Sequence, residues 1–405
     1  MTDNAQRRVL VLNGNGNNLG DQAIFAGWLR VFGDAVDAAG LDVIVDQSFI
    51  YDLPFREETI ATINQSYDLL VMGGGGFLYH RGADKSASGW GFDIPEELIP
   101  SLEVPFAIYS TGYNYRAFAP EHFPAHTASH VRATVKHAAH FSVREHGSVK
   151  KLEEAFGVTE GVSFVPDCAL HVEPARVHLP RLDPSRKSLG LCLRIDRPEE
   201  RFPAPFSQSF ERYIQTLVET CKQLVEEDGY QIVFTPHLLT AGDLEVGRLL
   251  RASLPEDSLL LLHEEVPAIY QGADLLHPGL LAGVYEKLHL VLGQRLHSVI
   301  LPWAMGTPVV SLSTTRSNGW MQEEFGSPKS QHIDLFDFDR ECRTERFVSA
   351  VREASAQRDA LSAQAKTRKA ELVQTAQRET RALVGATLGQ LRVKQSPFLA
   401  EVAAR

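Results

Sequence analysis

What most constrains this chain is a rhythm that runs twice. Short β-rich apolar runs alternate with stretches of helical spacing, stop at a cluster of prolines, and start again. In the first round the apolar runs fall at residues 8–13, 41–45, 67–72, 105–109 and 140–144. Between the first two, Ile24, Phe25, Trp28, Leu29 and Phe32 share one helical face, and a later helix is expected over 148–156. In the second round the runs fall at 188–193, 231–234, 259–262, 288–292 and 309–312, with a helix over 210–226. Such alternation implies βαβ units and a mostly parallel sheet. Pro174, Pro180 and Pro184 cannot sit inside a sheet or a helix, so a linker is expected there. A chain of 405 residues exceeds one ordinary core. The expected fold class is therefore α/β, with two Rossmann-like domains facing a cleft, at 1–175 and 186–340. A helical C-terminal segment at 341–405 completes it.

Composition narrows the partners. With 44 % apolar and 22 % charged residues the chain reads as a soluble globular protein. Its net charge of −11 argues against bulk attraction to nucleic acid or to an anionic membrane. An anionic ligand would need a local basic pocket. Cys168, Cys192, Cys221 and Cys342 are scattered and form no CxxC pair, which argues against a zinc site or a disulfide framework. That usage fits a reducing compartment, and the polar N-terminus lacks the apolar core of a signal peptide. A cytoplasmic location is expected, with no metal and no cofactor. The segment 341–405 carries 12 Lys/Arg and 7 Asp/Glu, interspersed rather than clustered. One or two helices packed on the domains are expected there, with at most peripheral membrane contact. Homo-oligomer formation stays open.

The densest chemistry lies in Val291-Leu-Gly-Gln-Arg-Leu-His-Ser298, read as strand, tight loop and helix start. Such a loop sets Arg295 and His297 at a strand's carboxyl end and a helix's amino end. Backbone N–H groups and the helix dipole favour an anion there, and open α/β sheets bind ligands along that edge. Arginine adds a planar fork for phosphate or carboxylate, and histidine a proton donor near neutral pH. A bland strand–helix junction fits these residues alone equally well. Arg194, at the end of the run 188–193, and His237, after the run 231–234, fall on the same expected edge. Four cationic or titratable groups at one edge favour an anion site. His263-Glu264-Glu265 lacks metal-ligand spacing.

In the first half, Asn13-Gly-Asn-Gly-Asn-Asn-Leu-Gly-Asp-Gln22 joins the first strand to its helix. Gly14, Gly16 and Gly20 are spaced G-x-G-x-x-x-G, off the dinucleotide fingerprint, although Asp46 stands where a ribose-binding acid would. Its asparagines offer hydrogen bonds to a hydroxyl-rich ligand. Asp21 is either a helix first-turn acid or the acceptor of a sugar hydroxyl proton. Met72-Gly-Gly-Gly-Gly-Phe77 is read as a ligand-approach loop after the third strand, since a structural turn needs only one or two glycines. Tyr79, His80, Arg81 and Trp90 are read as a mobile hydrogen-bonding rim.

At these residues the chain resembles the polysaccharide pyruvyl transferase family. The carriers are Asn17-Asn-Leu-Gly-Asp-Gln-Ala23, Gly73 to Gly76, Phe141-Ser-Val-Arg-Glu145 with Ser148, Phe164-Val-Pro-Asp167, and Gly293-Gln-Arg-Leu-His-Ser298 with Ala304, Gly306 and Pro308. Gln22 stands where the family has Glu, Cys168 where it has Pro, and Ser313-Thr-Thr-Arg-Ser-Asn318 where an aromatic-and-lysine segment is usual. The resemblance implies a fold of the glycosyltransferase-B type and transfer of the pyruvyl group of phosphoenolpyruvate to sugar hydroxyls as a ketal. It implies a donor side in the second domain, at Arg194, His237, Arg295, Leu296, His297 and Ser298. The acceptor side would be in the first, at Asn17, Asn18, Gly20, Gly74, Gly75, Gly76, Tyr79 and His80. His297 would be the general acid, with Arg295 holding the donor and Asp21 receiving the acceptor's proton. The alternative is a nucleotide-sugar glycosyltransferase of the same fold.

Overall fold

The computed structural model describes residues 6–14, 16–81, 86–115, 118, 123–270 and 277–389. Among them are two six-stranded sheets, both wholly parallel. The first sheet holds β1 (Arg7–Asn13), β2 (Val43–Phe49), β3 (Leu69–Leu78), β4 (Phe106–Tyr113), β5 (His140–Val143) and β6 (Ser163–Phe164), in the order β2-β1-β3-β4-β5-β6. The second holds β7 (Ser188–Cys192), β8 (Gln231–Phe234), β9 (Leu259–Leu261), β10 (Leu290–Gly293), β11 (Val309–Ser313) and β12 (His332–Asp334), in the order β12-β11-β10-β7-β8-β9.

Each order reverses once. In the first sheet chain direction across the sheet switches between β1 and β3, and in the second between β7 and β10. Loops leaving such neighbouring strands part to opposite faces and open a crevice at the carboxyl edge. The strands are nearly continuous apolar runs because helices cover both faces. Val9 and Val11 pack with Trp28 and Phe32 on one face, while Leu10 and Leu12 join Leu70, Phe92 and Phe106 on the other.

The two lobes meet at their carboxyl edges. The Leu19 N–H donates to the His237 carbonyl (3.0 Å) and the Arg316 N–H to the Tyr115 carbonyl (3.1 Å). Glu324 Oε1 accepts from the His146 N–H and lies 2.7 Å from its Nδ1. A helix at Thr344–Ala356 packs on the second lobe, and the 30-residue helix Arg358–Thr387 then crosses to the first. Its Lys369 donates to the Ala304 carbonyl on one lobe, and its Thr380 hydroxyl meets Tyr109 Oη (2.5 Å) on the other. Its buried stripe of Ala365, Leu372, Ala376, Leu383 and Val384 is occupied by the lobes rather than left for a partner or a membrane surface. No helix among the described residues is long and apolar enough to cross a membrane. Residues 390–405 of the C-terminal segment lie outside the described residues.

Two differences from the sequence reading concern strands. β6 and β12, of two and three residues, are too short to show an apolar period. The four glycines are not a loop: β3 runs through them to Leu78 with a register shift after Gly75. Gly74 and Gly75 have φ of +83° and +118°, and a Cβ on Gly74 would stand 2.9 Å from Ile24 Cγ2. The backbone and the packed helix Leu19–Ala38 by themselves require glycine at Gly74.

Candidate active site

The two crevices face each other across one polar cavity of about 100 Å³. Asn18, Asp21, Gly76, Asn114 and Arg144 line it from the first lobe, and Arg194, His237, Arg295, Leu296, His297 and Ser317 from the second.

Second-lobe side chains arrive from the switch point. β10 ends at Gly293, where a Cβ would meet the Ser298 carbonyl at 2.6 Å, so glycine lets the helix at His297–Ala304 begin immediately. Arg295 is 7 % exposed; its Nε donates to the Leu193 carbonyl (3.1 Å), and its Nη2 stands 3.2 Å from Asp196 Oδ1. Arg194 Nε lies 3.5 Å from the same oxygen, and fully buried Arg201 donates to Asp196 Oδ2 (3.1 Å). Burial pushes the Asp196 carboxyl up, but Arg194, Arg201 and Arg295 outweigh it and hold it below the usual range. One carboxylate therefore faces three guanidinium groups, leaving excess positive charge at the cavity wall. Buried His237 shares a 2.7 Å hydrogen bond with Tyr285 Oη through Nε2. Burial, aided by His297 and Arg295, holds its pKa well below the usual imidazole range, so the ring is neutral. Its Nδ1 is buried with no hydrogen-bond partner among the described residues.

First-lobe groups reach across to His297. Its Nε2 is 3.4 Å from Asp167 Oδ2, a contact more electrostatic than hydrogen-bonded. Its Nδ1 edge lies beside Gly20, where a Cβ would stand 2.5 Å away. Asp167 also accepts from Arg144 Nη1 (3.1 Å) and from the Ala169 N–H (2.9 Å). Burial raises the Asp167 carboxyl, yet His297, Arg144 and that N–H pull it down to about 2. Arg144 is shared with Glu145, whose other oxygen accepts from Ser148 (2.6 Å). Full burial pushes the Glu145 carboxyl up to about 7 against the pull of Arg144 and Ser148, with Asp167 adding to the rise. On the acceptor side, Asn18 caps the helix Leu19–Ala38 through the Gly20 N–H (3.0 Å) and donates to Asp21 Oδ2 (3.2 Å).

The structure thus brings Asn18, Asp21, Gly76, Arg194, His237, Arg295, Leu296 and His297 to one cavity. Other expected residues do not line it. Ser298 is buried and its hydroxyl donates back to the Arg295 carbonyl (2.7 Å), closing the helix turn. Gly20 acts by making room for the imidazole, and Gly74 and Gly75 lie inside β3. Asn17 and His80 are exposed, His80 lying edge-on to Phe123, while Tyr79 Oη bonds Tyr51 Oη (2.9 Å). The mobile rim is not found in Trp90 or Arg81: Trp90 is fully buried with Nε1 donating to His130, and Arg81 pairs with Asp93. Asp46 pairs with Arg8 rather than facing the glycine loop, and Asn15 lies outside the described residues. Arg144 and Asp167 entered the sequence reading only within motifs that carry the resemblance, and Asn114 and Asp196 were given no site role. The signal for Arg144 was present: it follows an apolar strand, as Arg194 does. Among the described residues no cluster of His, Cys, Asp or Glu has metal-holding geometry.

Residues 18–316 match the family described as polysaccharide pyruvyl transferase. The chain belongs to that family. In this family member the matched span includes every residue lining the cavity except Ser317. No curated protein matches the sequence. Solved structures are similar at the level of fold. The S. aureus MnaA–UDP co-structure is 10 % identical, with TM-score 0.56 over 96 % of this chain and 99 % of that one. Sucrose-phosphate synthase of Thermosynechococcus elongatus is 13 % identical, with TM-score 0.54 over 98 % and 100 %. UDP-GlcNAc 2-epimerase of Neisseria meningitidis, bound to UDP-GlcNAc, is 11 % identical, with TM-score 0.52 over 95 % and 100 %. At such identity they establish a glycosyltransferase-B-like architecture and nothing finer.

Proposed function

We propose that this pyruvyl transferase moves the pyruvyl group of phosphoenolpyruvate onto two hydroxyls of a sugar in a glycan or glycan precursor, releasing phosphate. The observation that carries the reading is the set of three arginines, Arg144, Arg194 and Arg295, lining the interlobe cavity with His297 among them. A cavity of about 100 Å³ suits a small anion better than a nucleotide sugar, since pockets enclosing larger ligands run to roughly 300–1,000 Å³.

The chemistry follows from the donor. Phosphoenolpyruvate carries a phosphate and a carboxylate, each matched by a guanidinium fork from Arg194, Arg295 or Arg144. Protonating C3 makes C2 electrophilic, and His297, which lines the cavity, is the candidate to deliver that proton. A positioned general acid is worth roughly 10²–10⁴ in rate. An acceptor oxygen bonds to C2, its proton passing to Asp21. The C2–O bond to phosphate then breaks, and a second hydroxyl attacks C2 to close the ketal, its proton leaving with phosphate. Asn18 and Asn114 offer hydrogen bonds to the acceptor. Asp167 holds the imidazole and Arg144 together across the lobes, and keeps a counter-ion beside the protonated ring.

The test pairs ligand protection with product analysis. Phosphoenolpyruvate should raise the melting temperature, whereas UDP- and GDP-sugars should not; a shift with nucleotide sugars alone overturns the reading in favour of a glycosyltransferase. Mass spectrometry of a glycan mixture incubated with phosphoenolpyruvate should reveal a pyruvyl ketal. His297→Ala should abolish phosphate release while barely moving the melting temperature.

A further inference from the structure

Asp196 stands behind the second-lobe wall of the cavity and does not line it. Its oxygens have different tasks. Oδ2 accepts from Arg201 Nη2 (3.1 Å), and the main-chain oxygen of Asp196 accepts from Arg201 Nε (2.7 Å). Arg201 is fully buried and directly follows the one-turn helix Pro198–Glu200. That turn begins at Arg197, whose φ of +53° is a left-handed conformation unfavourable for a residue with a side chain. The strain is kept where the chain folds back to set Arg201 against Asp196.

Oδ1 is turned to the arginines of the cavity: Arg295 Nη2 at 3.2 Å and Arg194 Nε at 3.5 Å. Neither contact is a hydrogen bond, for Oδ1 is buried with no hydrogen-bond partner among the described residues. A misaligned carboxylate transmits its charge but does not fix the direction of a guanidinium fork. The aim of these side chains is set elsewhere. Arg295 is anchored through Nε to the Leu193 carbonyl, and the Arg194 main-chain N–H donates to Gln294 Oε1 (2.6 Å). With Nε and Nη2 of Arg295 turned to protein, Nη1 is its nitrogen left to meet an anion.

Three guanidinium groups against one carboxylate leave this wall with surplus positive charge. A wall that grips the donor's phosphate grips the released phosphate as well, and such uniform binding does not speed turnover. We propose that Asp196 is a positioning residue acting through Arg194 and Arg295: its charge weakens their hold on phosphate enough for the product to leave. The proposal rests on the transfer reaction above only for the identity of the anion. The balance of charge at the wall can be read with phosphate by itself.

Asp196→Asn keeps an oxygen for Arg201 and removes the charge. Binding of sodium phosphate is measured by isothermal titration calorimetry, and product inhibition by steady-state turnover. Phosphate should bind about tenfold tighter to Asp196→Asn, because one unit charge has been removed directly behind the arginines. Its inhibition constant and the KM for phosphoenolpyruvate should fall together. A purely structural role predicts the reverse, since displaced arginines bind anions less well. Arg295→Gln should abolish the phosphate signal, which ties that signal to this wall. Asp196→Asn combined with Arg201→Gln removes opposite charges together and gives a second reading should the single variant not fold. Its phosphate affinity should still exceed that of the wild type, because the lost carboxylate touches the cavity arginines while the lost guanidinium lies behind it. Unchanged or weaker phosphate binding in a folded variant, or no phosphate binding to the wild-type protein, overturns the proposal. Tighter phosphate binding in a protein where phosphoenolpyruvate neither competes with phosphate nor is consumed leaves the role of Asp196 standing and sinks the donor assignment.

Discussion

Asp167 touches two functional groups that belong to different lobes, and its loss should be visible in turnover rather than in folding alone. Asp167→Asn keeps the acceptor for the Ala169 N–H but removes the negative charge between Arg144 and His297. The ring of His297 then loses its carboxylate neighbour while Arg144 and Arg295 remain in the same cluster. kcat should fall about tenfold or more. An unchanged kcat would mean that Asp167 is only a cap. Glu145 makes a second prediction through stability. Its folded pKa, about 7, lies above the ordinary carboxyl value near 4.3. Below the unfolded value the group is neutral in both states and costs nothing. As pH rises from there to about 7, ionisation favours the unfolded chain, so stability falls and then levels off. Thermal melts from pH 5 to 8 should show this decline, on the order of 1–2 kcal/mol, and Glu145→Gln should flatten it.

Glycines set how closely the elements approach. At Gly20, in the first turn of the helix Leu19–Ala38, a methyl group would collide with the His297 ring. Gly20→Ala should therefore cut activity at least tenfold although alanine suits a helix, and phosphate-release assays alongside far-UV circular dichroism would separate the two effects. Gly74→Ala meets both a φ of +83° and Ile24, and should cost about 1–3 kcal/mol, read by chemical denaturation. These elements also explain what was legible from sequence. Arg295 and His297 could be read because strand, loop and helix start are contiguous, so their placement at an edge follows from local pattern. The alternation of runs likewise predicts both sheets, since each parallel strand buried on two faces is an apolar block. Arg144 and Asp167 could not be assigned that way. Arg144 pairs with Glu145 and with the distant Asp167 of its own lobe, Asp167 reaches His297 of the other, and no local period encodes which loops converge after folding. The glycine run was read as a loop because a bulged strand and a loop ask for the same residue; it lies in β3, where Gly74 packs on Ile24 and Gly76 reaches the cavity.

At the scale of the molecule, the lobes meet through polar contacts and through an apolar cluster in which Leu19, Ala23, Ala169 and Leu170 pack with Leu296, Val299 and Ile300. Glu324 is the second-lobe residue that holds the backbone and ring of His146. Glu324→Ala should weaken the closed arrangement, raising KM for phosphoenolpyruvate several-fold with a smaller change in kcat, as measured by steady-state phosphate release. The chain joins the lobes through the proline-rich segment between Val172 and Ser188, and the helix Arg358–Thr387, continuous with the second lobe, docks on the first through packing and the Thr380–Tyr109 hydrogen bond. A chain crossing and a docked helix both span the seam, so any opening has to pivot where they cross. If substrates exchange by such an opening, a bridge engineered between the far margins of the lobes should slow turnover.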